Sequence, residues 1–320
     1  MLRFLLLPLL IGACGTVTAQ NAPPPAPRVS YHQHLISPPT AQLWGHPETT
    51  LDAAGLITQL DEAGIERAVV LSVAYTYGDE RKQVDDPALR TREENDWTSV
   101  QVSRYPRRLV GFCSVNPLRD EALQEIERCL ALPGMRGLKL HMGNSGVNVR
   151  EPAHVDRLRD VFALANRLSA PIVVHARPRG SMNIPYGRED AVIFLEQILP
   201  MAPDVVVQLA HMAGAGPGYP ASADAAMEVY AHAIASNDPR TRRLYFDLTT
   251  AAAPDTTPEN AALIVTRIRQ VGADRVLFGA DLPLGGNPEP GAAWLLFVEK
   301  APLTAAELRT IATNIAPYLR

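Results

Sequence analysis

Five residues of types that can bind metal ions stand at the ends of separate apolar segments. They are His32, His34, His175, His211 and Asp281. A strand places residues two apart on one face, so His32 and His34 can point at the same ion. The doublet alone is weak evidence, because a chain with eight histidines contains such a pair by chance often enough. The other three each follow an apolar run, and the whole set predicts a divalent metal site with a catalytic role.

The apolar runs that lead to these residues recur eight times along the chain. They span about 29–35, 67–73, 108–115, 137–142, 171–176, 205–212, 244–250 and 275–281. Continuous Val-, Ile- and Leu-rich runs are typical of parallel strands buried on both faces, and amphipathic stretches such as 117–132 and 152–169 separate them. Eight such units predict an α/β fold, a single-domain (β/α)8 TIM barrel whose strand ends meet at one mouth. The alternative is an open doubly wound sheet, but the glycine-rich turn usual after its first strand is missing from this sequence.

The N-terminal segment has the composition of an export signal. Arg3 precedes the apolar run FLLLPLLIGA, which is too short to span a bilayer as a mature helix. Two cleavage sites are open. IGAC resembles a lipobox, with 1–13 removed and Cys14 lipidated, whereas VTA before Gln20 suits ordinary signal peptidase and removal of 1–19.

The segment that follows predicts a tether in front of the barrel. Residues 20–28 are proline-rich and cannot build a core, so the folded body is expected over 29–320. The sequence therefore predicts an exported protein that is either periplasmic or lipid-anchored to a membrane surface.

Composition limits the class of partner. With 47% hydrophobic residues, a net charge of -4 and a pI near 6.1, the chain has no basic surplus for nucleic acid. A small-molecule substrate is expected, the body offers no membrane span, and monomer and homo-oligomer both stay open. Cys113 and Cys129 are predicted to be two buried thiols rather than a disulfide.

Seven separate segments carry a family resemblance. They are YHQHL, REENDWTSVQVSRYPRRLVGFCSVNP, RGLKLH, PIVVHA, QLAHMAG, VLFGADLP and LTAAELRTIATNIAPYL, in order over roughly 29–320. Together they resemble the amidohydrolase-related (amidohydrolase 2) family of metal-dependent TIM-barrel hydrolases and decarboxylases. The resemblance implies a distorted barrel with one divalent ion, with ligands His32, His34, His175 and Asp281. It also implies that His211 handles protons or binds substrate. The chain departs from the family at Tyr31, where relatives often have Asp. This departure leaves the predicted ligands intact and affects only a contact that a neighbouring side chain would make to a ligand.

The chemistry follows from these residue types. Neutral imidazoles and a carboxylate suit Zn²⁺, with Mn²⁺, Fe²⁺ and Co²⁺ as alternatives. Such an ion can lower the pKa of a water molecule from about 15.7 to about 7 and polarise a carbonyl group. Asp281 would ligate the ion and accept a proton, while His211 would stabilise an oxyanion or protonate a leaving group. His211 and Asp281 are therefore the predicted catalytic residues.

Five further residues are candidate substrate contacts. Lys139 and His141 share one face of the fourth strand, and Arg177 follows the fifth. Lys139 is interpreted as a contact for a substrate carboxylate or as an inward structural cation; the alternative is a carboxylated lysine that bridges two ions. Trp44 and His46 lie in the first long loop, where a substrate contact and a surface position are equally open.

These expectations favour a metal-dependent hydrolase that cleaves an amide, lactone or ester bond of a small molecule through a metal-activated water. The alternative is a metal-dependent non-oxidative decarboxylase, a lyase, acting on a small carboxylic acid such as an aromatic one, with Lys139 and Arg177 binding the acid. A non-catalytic binding barrel is the third option, disfavoured by the complete ligand set. Loop shape sets the substrate, and the sequence does not identify it.

Overall fold

Eight parallel strands alternate with helices in the computed structural model, which describes residues 24–178, 184–283 and 287–320. The strands are β1 (Val29–Gln33), β2 (Arg67–Leu71), β3 (Leu109–Ser114), β4 (Met135–His141), β5 (Ile172–His175), β6 (Val207–Leu209), β7 (Leu244–Asp247) and β8 (Val276–Leu277). They pair in sequence order from β1 to β8. Backbone hydrogen bonds from Tyr31 N to Phe278 O (2.7 Å) and from Asp281 N to His32 O (2.9 Å) bring the two edges together. The sheet is thus a nearly closed barrel, and the predicted (β/α)8 fold is confirmed.

Helices surround the barrel. They are α1 (Pro38–Trp44), α2 (Ala53–Glu62), α3 (Pro87–Ser103), α4 (Ala122–Leu130), α5 (Pro152–Arg167), α6 (Arg188–Ile193), α8 (Ala221–Ala235), α9 (Pro258–Val271), α10 (Pro290–Lys300) and α11 (Ala305–Thr313). The short segment α7 (Ala210–Gly214) is a left-handed turn directly after β6. Local sequence sets where several of the helices begin. The side chain of Thr304 accepts a hydrogen bond from Glu307 N while the Glu307 carboxylate accepts one from Thr304 N, a capping box that starts α11. Five of these helices, among them α5 and α9, begin with a proline, which suits the first turn because its missing N–H has no helical partner.

The strands divide the interior into an apolar part and a polar part. Val173 of β5 packs inside the barrel with Tyr31, Phe112 and Leu277, whereas His175, two residues further on the same strand face, belongs to the polar end. The opposite faces of the strands pack on the helices; Leu138 and Leu140 of β4 belong to that larger core. Apolar side chains therefore fill the barrel below, and polar side chains collect where the strands end.

An irregularity in β1 orients its two histidines. Ser30 pairs with Ala68 and Gln33 pairs with Val70, so three steps along β1 match two along β2. Such a bulge changes which way the following side chains point. Tyr31 can thereby pack in the barrel interior while His32 and His34 take part in the polar cluster above it.

The prediction of two free thiols was wrong. Cys113 of β3 and Cys129 of α4 form a disulfide with a Cα–Cα distance of 6.0 Å. Both side chains lie in the layer between strand and helix, where the fold brings them together. Their 16-residue separation carried no such information, because spacing alone does not tell a buried thiol pair from a bridge.

Among the described residues, no helix combines the length and the apolar character needed to cross a membrane. The predicted signal segment 1–19, its alternative 1–13 and the two processing sites Cys14 and Gln20 lie outside the described residues.

Candidate metal centre

Three of the predicted ligands meet at the polar end of the barrel. The Nε2 atoms of His32 and His34 lie 3.4 and 3.0 Å from Oδ1 of Asp281. One ligand atom from each of the three residues falls within 4.8 Å of the others. Asp281 follows β8 with a left-handed backbone (φ 59°), a conformation that Asp tolerates better than most residues. Two nitrogens and one carboxylate oxygen at this spacing fit a divalent ion.

Hydrogen bonds fix both imidazole rings in the orientation that ligation requires. Nδ1 of His34 lies 2.6 Å from the carbonyl oxygen of Leu71, which can only accept, so the hydrogen is on Nδ1. Nδ1 of His32 lies 3.1 Å from Oδ2 of Asp247, to which it donates. Each Nε2 therefore directs a lone pair toward Asp281, which is the arrangement that prepares histidines to bind a metal.

Asp247 is the functional residue that sequence reasoning missed. Its buried carboxylate, at the end of β7, also accepts hydrogen bonds from Gln208 Nε2 (2.6 Å) and from the backbone N of His211 (2.9 Å). The sequence signal for Asp247 was the same as for the predicted ligands, a polar residue that ends an apolar run, here LYFD. At the position where the sequence departs from the family, the Tyr31 hydroxyl accepts a hydrogen bond from Ala316 N (2.7 Å). The carboxylate partner of His32 comes from β7.

His211 lies in a left-handed turn directly after β6. Its φ is 55°, and the two residues after it share the left-handed conformation. The His211 ring stacks on His32 with 4.7 Å between centroids, and its Nε2 lies 4.0 Å from Oδ2 of Asp281. Burial, with smaller effects from nearby charges, lowers the pKa of His211 to about 4, so the ring is neutral near pH 7. His211 with His32 and Asp247 forms a second group of potential ligand atoms within 4.8 Å.

The fourth predicted ligand, His175, lies beside His211. The two ring centroids are 5.0 Å apart, and His175 stacks on His141 at 4.0 Å. His175, His211 and Asp281 line one small cavity of about 140 Å³. His175 belongs to neither three-residue group within the described part of the chain, so its role as a ligand stays a prediction.

Two cations flank the cluster. Lys139 is buried, and its Nζ lies 3.2 Å from Nε2 of His32. Burial lowers the pKa of Lys139 to about 8, although Asp281 and Asp247 oppose this effect. The guanidinium of half-buried Arg177 donates to the carbonyl oxygen of Gly216 at 2.5 Å. Gly216 lines the same cavity as Asp281, which brings Arg177 to its rim.

The loop candidates divide between an interior and a surface position. Trp44 packs beside Tyr75, and its Nε1 donates to Thr76 at 2.9 Å. Tyr75 in turn contacts the ring of His141, with 4.8 Å between centroids. His46 is 65% exposed and pairs with Glu48, so this part of the first loop faces solvent.

The two carboxylates of the cluster are ionised. Burial alone would raise the pKa of Asp281, but electrostatic interactions with His32, His34 and His211 outweigh it and hold that pKa well below its usual range. The same balance, with His32 and His211 as partners, depresses the pKa of Asp247. A buried carboxylate, Asp247, and a largely buried one, Asp281, need positively charged partners, so the site favours a cation.

Known structures share this architecture. A 5-carboxyvanillate decarboxylase from Sphingomonas paucimobilis has 16% sequence identity to this chain and a TM-score of 0.61, with 90% of this chain and 97% of that one covered. A dihydroxybenzoic acid decarboxylase from Polaromonas sp. JS666, solved with manganese and 2-nitroresorcinol, has 19% identity and a TM-score of 0.59 over 90% and 95% of the two chains. A Staphylococcus aureus protein described as an amidohydrolase has 18% identity and a TM-score of 0.62 over 91% and 99%. At these identities the similarity establishes the fold.

The sequence itself establishes the family. No curated protein matches this chain. The amidohydrolase family matches residues 29–314, which is nearly the whole barrel and includes every ligand candidate. This chain therefore belongs to the amidohydrolase family of metal-dependent enzymes.

Proposed function

We propose that this protein is a metal-dependent, non-oxidative decarboxylase of a small carboxylic acid. The observation that carries the proposal is the pair of cations beside the cluster, Lys139 and Arg177. Within the described residues neither has a carboxylate within 4.0 Å, which is unusual for a buried and a half-buried cation. An anionic substrate would supply the missing partner.

Arg177 and Lys139 suit a substrate whose carboxylate is held over the barrel mouth. Arg177 at the rim would bind the acid through its planar group of donors, and Lys139 would add positive charge from below. In the reaction the bond between the carboxylate carbon and the substrate breaks, carbon dioxide leaves, and the electron pair stays on the substrate carbon. A proton then replaces the lost group, and His211 is placed beside the cavity to orient or relay it.

His32, His34 and Asp281 would hold the divalent ion, with His175 as the fourth ligand. When bound, the ion acts as a Lewis acid that withdraws charge from a substrate oxygen. We propose Zn²⁺ or Mn²⁺; the donor set suits either, and the Polaromonas decarboxylase of the same fold carries manganese. His32 and His34 contribute nitrogens already oriented by Asp247 and Leu71.

Fold relatives support decarboxylation over hydrolysis. The Sphingomonas and Polaromonas enzymes act on aromatic acids, as their names state, and they cover nearly all of this barrel. A substrate of the same chemical class, a ring or short chain that bears one carboxylate, is therefore the proposal for this chain.

The test is carbon dioxide release. Protein reconstituted separately with Zn²⁺ and Mn²⁺ would be incubated with a panel of hydroxybenzoic acids and aliphatic keto acids. Arg177→Gln should raise KM about tenfold or more, because a charge-assisted contact is lost. The exposed Arg104→Gln is the matched control and should leave KM unchanged. Absence of carbon dioxide release across the panel, with hydrolysis of amides or lactones by the same preparation, would overturn the proposal.

Hydrolysis is the second candidate, and one observation favours it. The ionised carboxylate of Asp281 is the form that a general base requires. The same reconstituted preparation tested on lactones, esters and amides measures this activity directly.

We also propose that the protein is exported, as its N-terminal sequence predicts. The disulfide between Cys113 and Cys129 supports this location, because structural disulfides persist in oxidising compartments and are rare in the cytosol of mesophiles.

A further inference from the structure

A second cavity lies against the metal centre. It has a volume of about 430 Å³, and Pro217, Thr250 and Asn287 line both this cavity and the small one that contains His175, His211 and Asp281. The two spaces therefore share a wall, and the second is about three times the volume of the first. We refer to the second space as the apolar pocket.

The walls of the apolar pocket differ in chemistry from the metal centre. They come mainly from the segments after β7 and after β8 and from helix α10, with Leu248, Phe278, Leu296 and Phe297 as the large side chains. No charged residue is among the described residues that line it, and Thr250 and Asn287, both in the shared wall, are the ones with polar side chains. A group placed here gains by leaving water rather than by forming hydrogen bonds.

The pocket is tied to the catalytic end by short contacts. Asn287 Nδ2 donates to the backbone oxygen of Asp281 at 3.0 Å and to its carboxylate at 3.2 Å. Gly279 of the pocket wall packs so closely on β1 that an added Cβ would lie 2.5 Å from Cβ of His32. The pocket is thus fixed in position relative to the ligands, as a substrate-binding site must be.

Small side chains provide the space. Ala252 after β7 and Ala293 on α10 are both half-buried pocket residues, and any larger side chain there would project into the volume. A cavity of this size holds a ring or a chain of several methylene groups, whereas the small cavity of about 140 Å³ at the metal holds little beyond the reacting group.

We infer that the apolar pocket binds the apolar body of the substrate while its carboxylate lies at the metal centre. The substrate class is then an amphipathic acid, with one anionic end and an uncharged hydrocarbon chain or ring. This inference rests on the proposed function for the position of the carboxylate, but the pocket itself is independent of the reaction.

The experiment measures binding rather than turnover. Titration calorimetry of the metal-loaded protein with acetate, butanoate, hexanoate and octanoate should give an affinity that rises by up to about fourfold per methylene. The 1-alkanols from butanol to octanol form a parallel series without a carboxylate. A rise in the alkanol series alone would contradict carboxylate recognition while supporting the pocket, so failure of the proposed function and failure of the inference are distinguishable.

Substitutions in the pocket wall test whether the rise in affinity with chain length comes from the apolar pocket. Ala293→Phe should flatten both series and leave acetate affinity unchanged, and Ala252→Phe provides an independent second variant if the first is unstable. The matched control is Ala306→Phe, at an exposed position of α11, which should retain the full gradient. Flat series in the unsubstituted protein, or gradients that survive in both pocket variants, would overturn the inference.

Discussion

His32 and Asp247 are joined at the barrel mouth by a hydrogen bond of 3.1 Å between Nδ1 and Oδ2. The residues are 215 positions apart, on β1 and β7. The bond fixes the His32 ring with its Nε2 toward Asp281. Asp247 therefore orients His32 for metal binding without being a ligand in the proposed site.

Replacing Asp247 should therefore weaken metal binding without removing a ligand. We expect Asp247→Asn to lower metal affinity by about 10- to 100-fold, the usual cost of losing a partner behind a ligating histidine. Competition with a chromogenic chelator measures the affinity. The exposed Asp255→Asn, in the loop after β7, is the control, and equal affinities for the two variants would rule out an orienting role.

Metal content should separate the ligands from His211. Protein purified without chelator should contain about one divalent ion per chain by elemental analysis, and His32→Ala or Asp281→Ala should lose both the ion and turnover. His211→Ala should retain most of the metal while activity falls by about a hundredfold or more. Metal loss in His211→Ala equal to that in His32→Ala would make His211 a ligand. A content near two ions would favour the bridging role for Lys139.

The buried carboxyl of Glu94 should make stability depend on pH. Glu94, on α3, accepts from Ser37 Oγ (2.5 Å) and Thr40 Oγ1 (2.7 Å), and burial raises its pKa above the ordinary value of 4.5. Because the pKa of Glu94 is higher in the folded than in the unfolded state, its protonated carboxyl group contributes fully to stability at a pH below the unfolded-state pKa. That contribution is lost as the pH rises through the folded-state pKa.

We therefore expect the free energy of unfolding of the unsubstituted protein to fall relative to Glu94→Gln as pH rises from about 4.5, by at most about 1.4 kcal/mol per pH unit. Urea titrations at several pH values measure this. The neighbouring Glu93→Gln, half-exposed and paired with Arg90, should keep the slope of the parent. Parallel curves for the parent and Glu94→Gln would refute the prediction.

The disulfide should stabilise the fold. By the chain-entropy model, a bridge that closes a loop of 16 residues contributes about 3 kcal/mol. Cys113→Ser, Cys129→Ser and the double variant should each lose a similar amount, because either change breaks the same bond. Denaturant unfolding with and without reductant measures the loss. Detection of two free thiols in the native protein by mass spectrometry would show that the bridge does not form.

Export can be tested through Cys14, which lies outside the described residues. If Cys14 is lipidated, Cys14→Ser should release the protein from the membrane fraction. If signal peptidase cleaves instead, the variant and the parent should both be released as soluble protein beginning at Gln20. Recovery of the uncut chain from the cytoplasm would exclude export.

Strand count and strand order were accessible from the sequence, because parallel strands buried on both faces leave continuous apolar runs. Seven of the eight predicted runs contain a strand, and the fourth, 137–142, overlaps β4, which begins two residues earlier at Met135; the amphipathic stretches at 117–132 and 152–169 contain α4 and α5. The predicted and observed positions of the strand ends differ. β6 stops at Leu209 and β8 at Leu277, so His211 and Asp281 stand beyond their strands in left-handed backbone. Composition does not reveal that conformation.

The sequence alone determined which residue types reach the barrel mouth, because a polar residue at the end of an apolar run is a local pattern. Tertiary structure decided which of them touch. Four features depend on contacts between separate elements of the fold: the bulge in β1, the bond from His32 to Asp247, the 3.2 Å approach of Lys139 to His32 and the disulfide. The physical reason is that periodicity specifies the face of a strand on which a side chain lies. The distance between side chains on different strands depends on register and barrel closure, which arise only when all eight strands pack together.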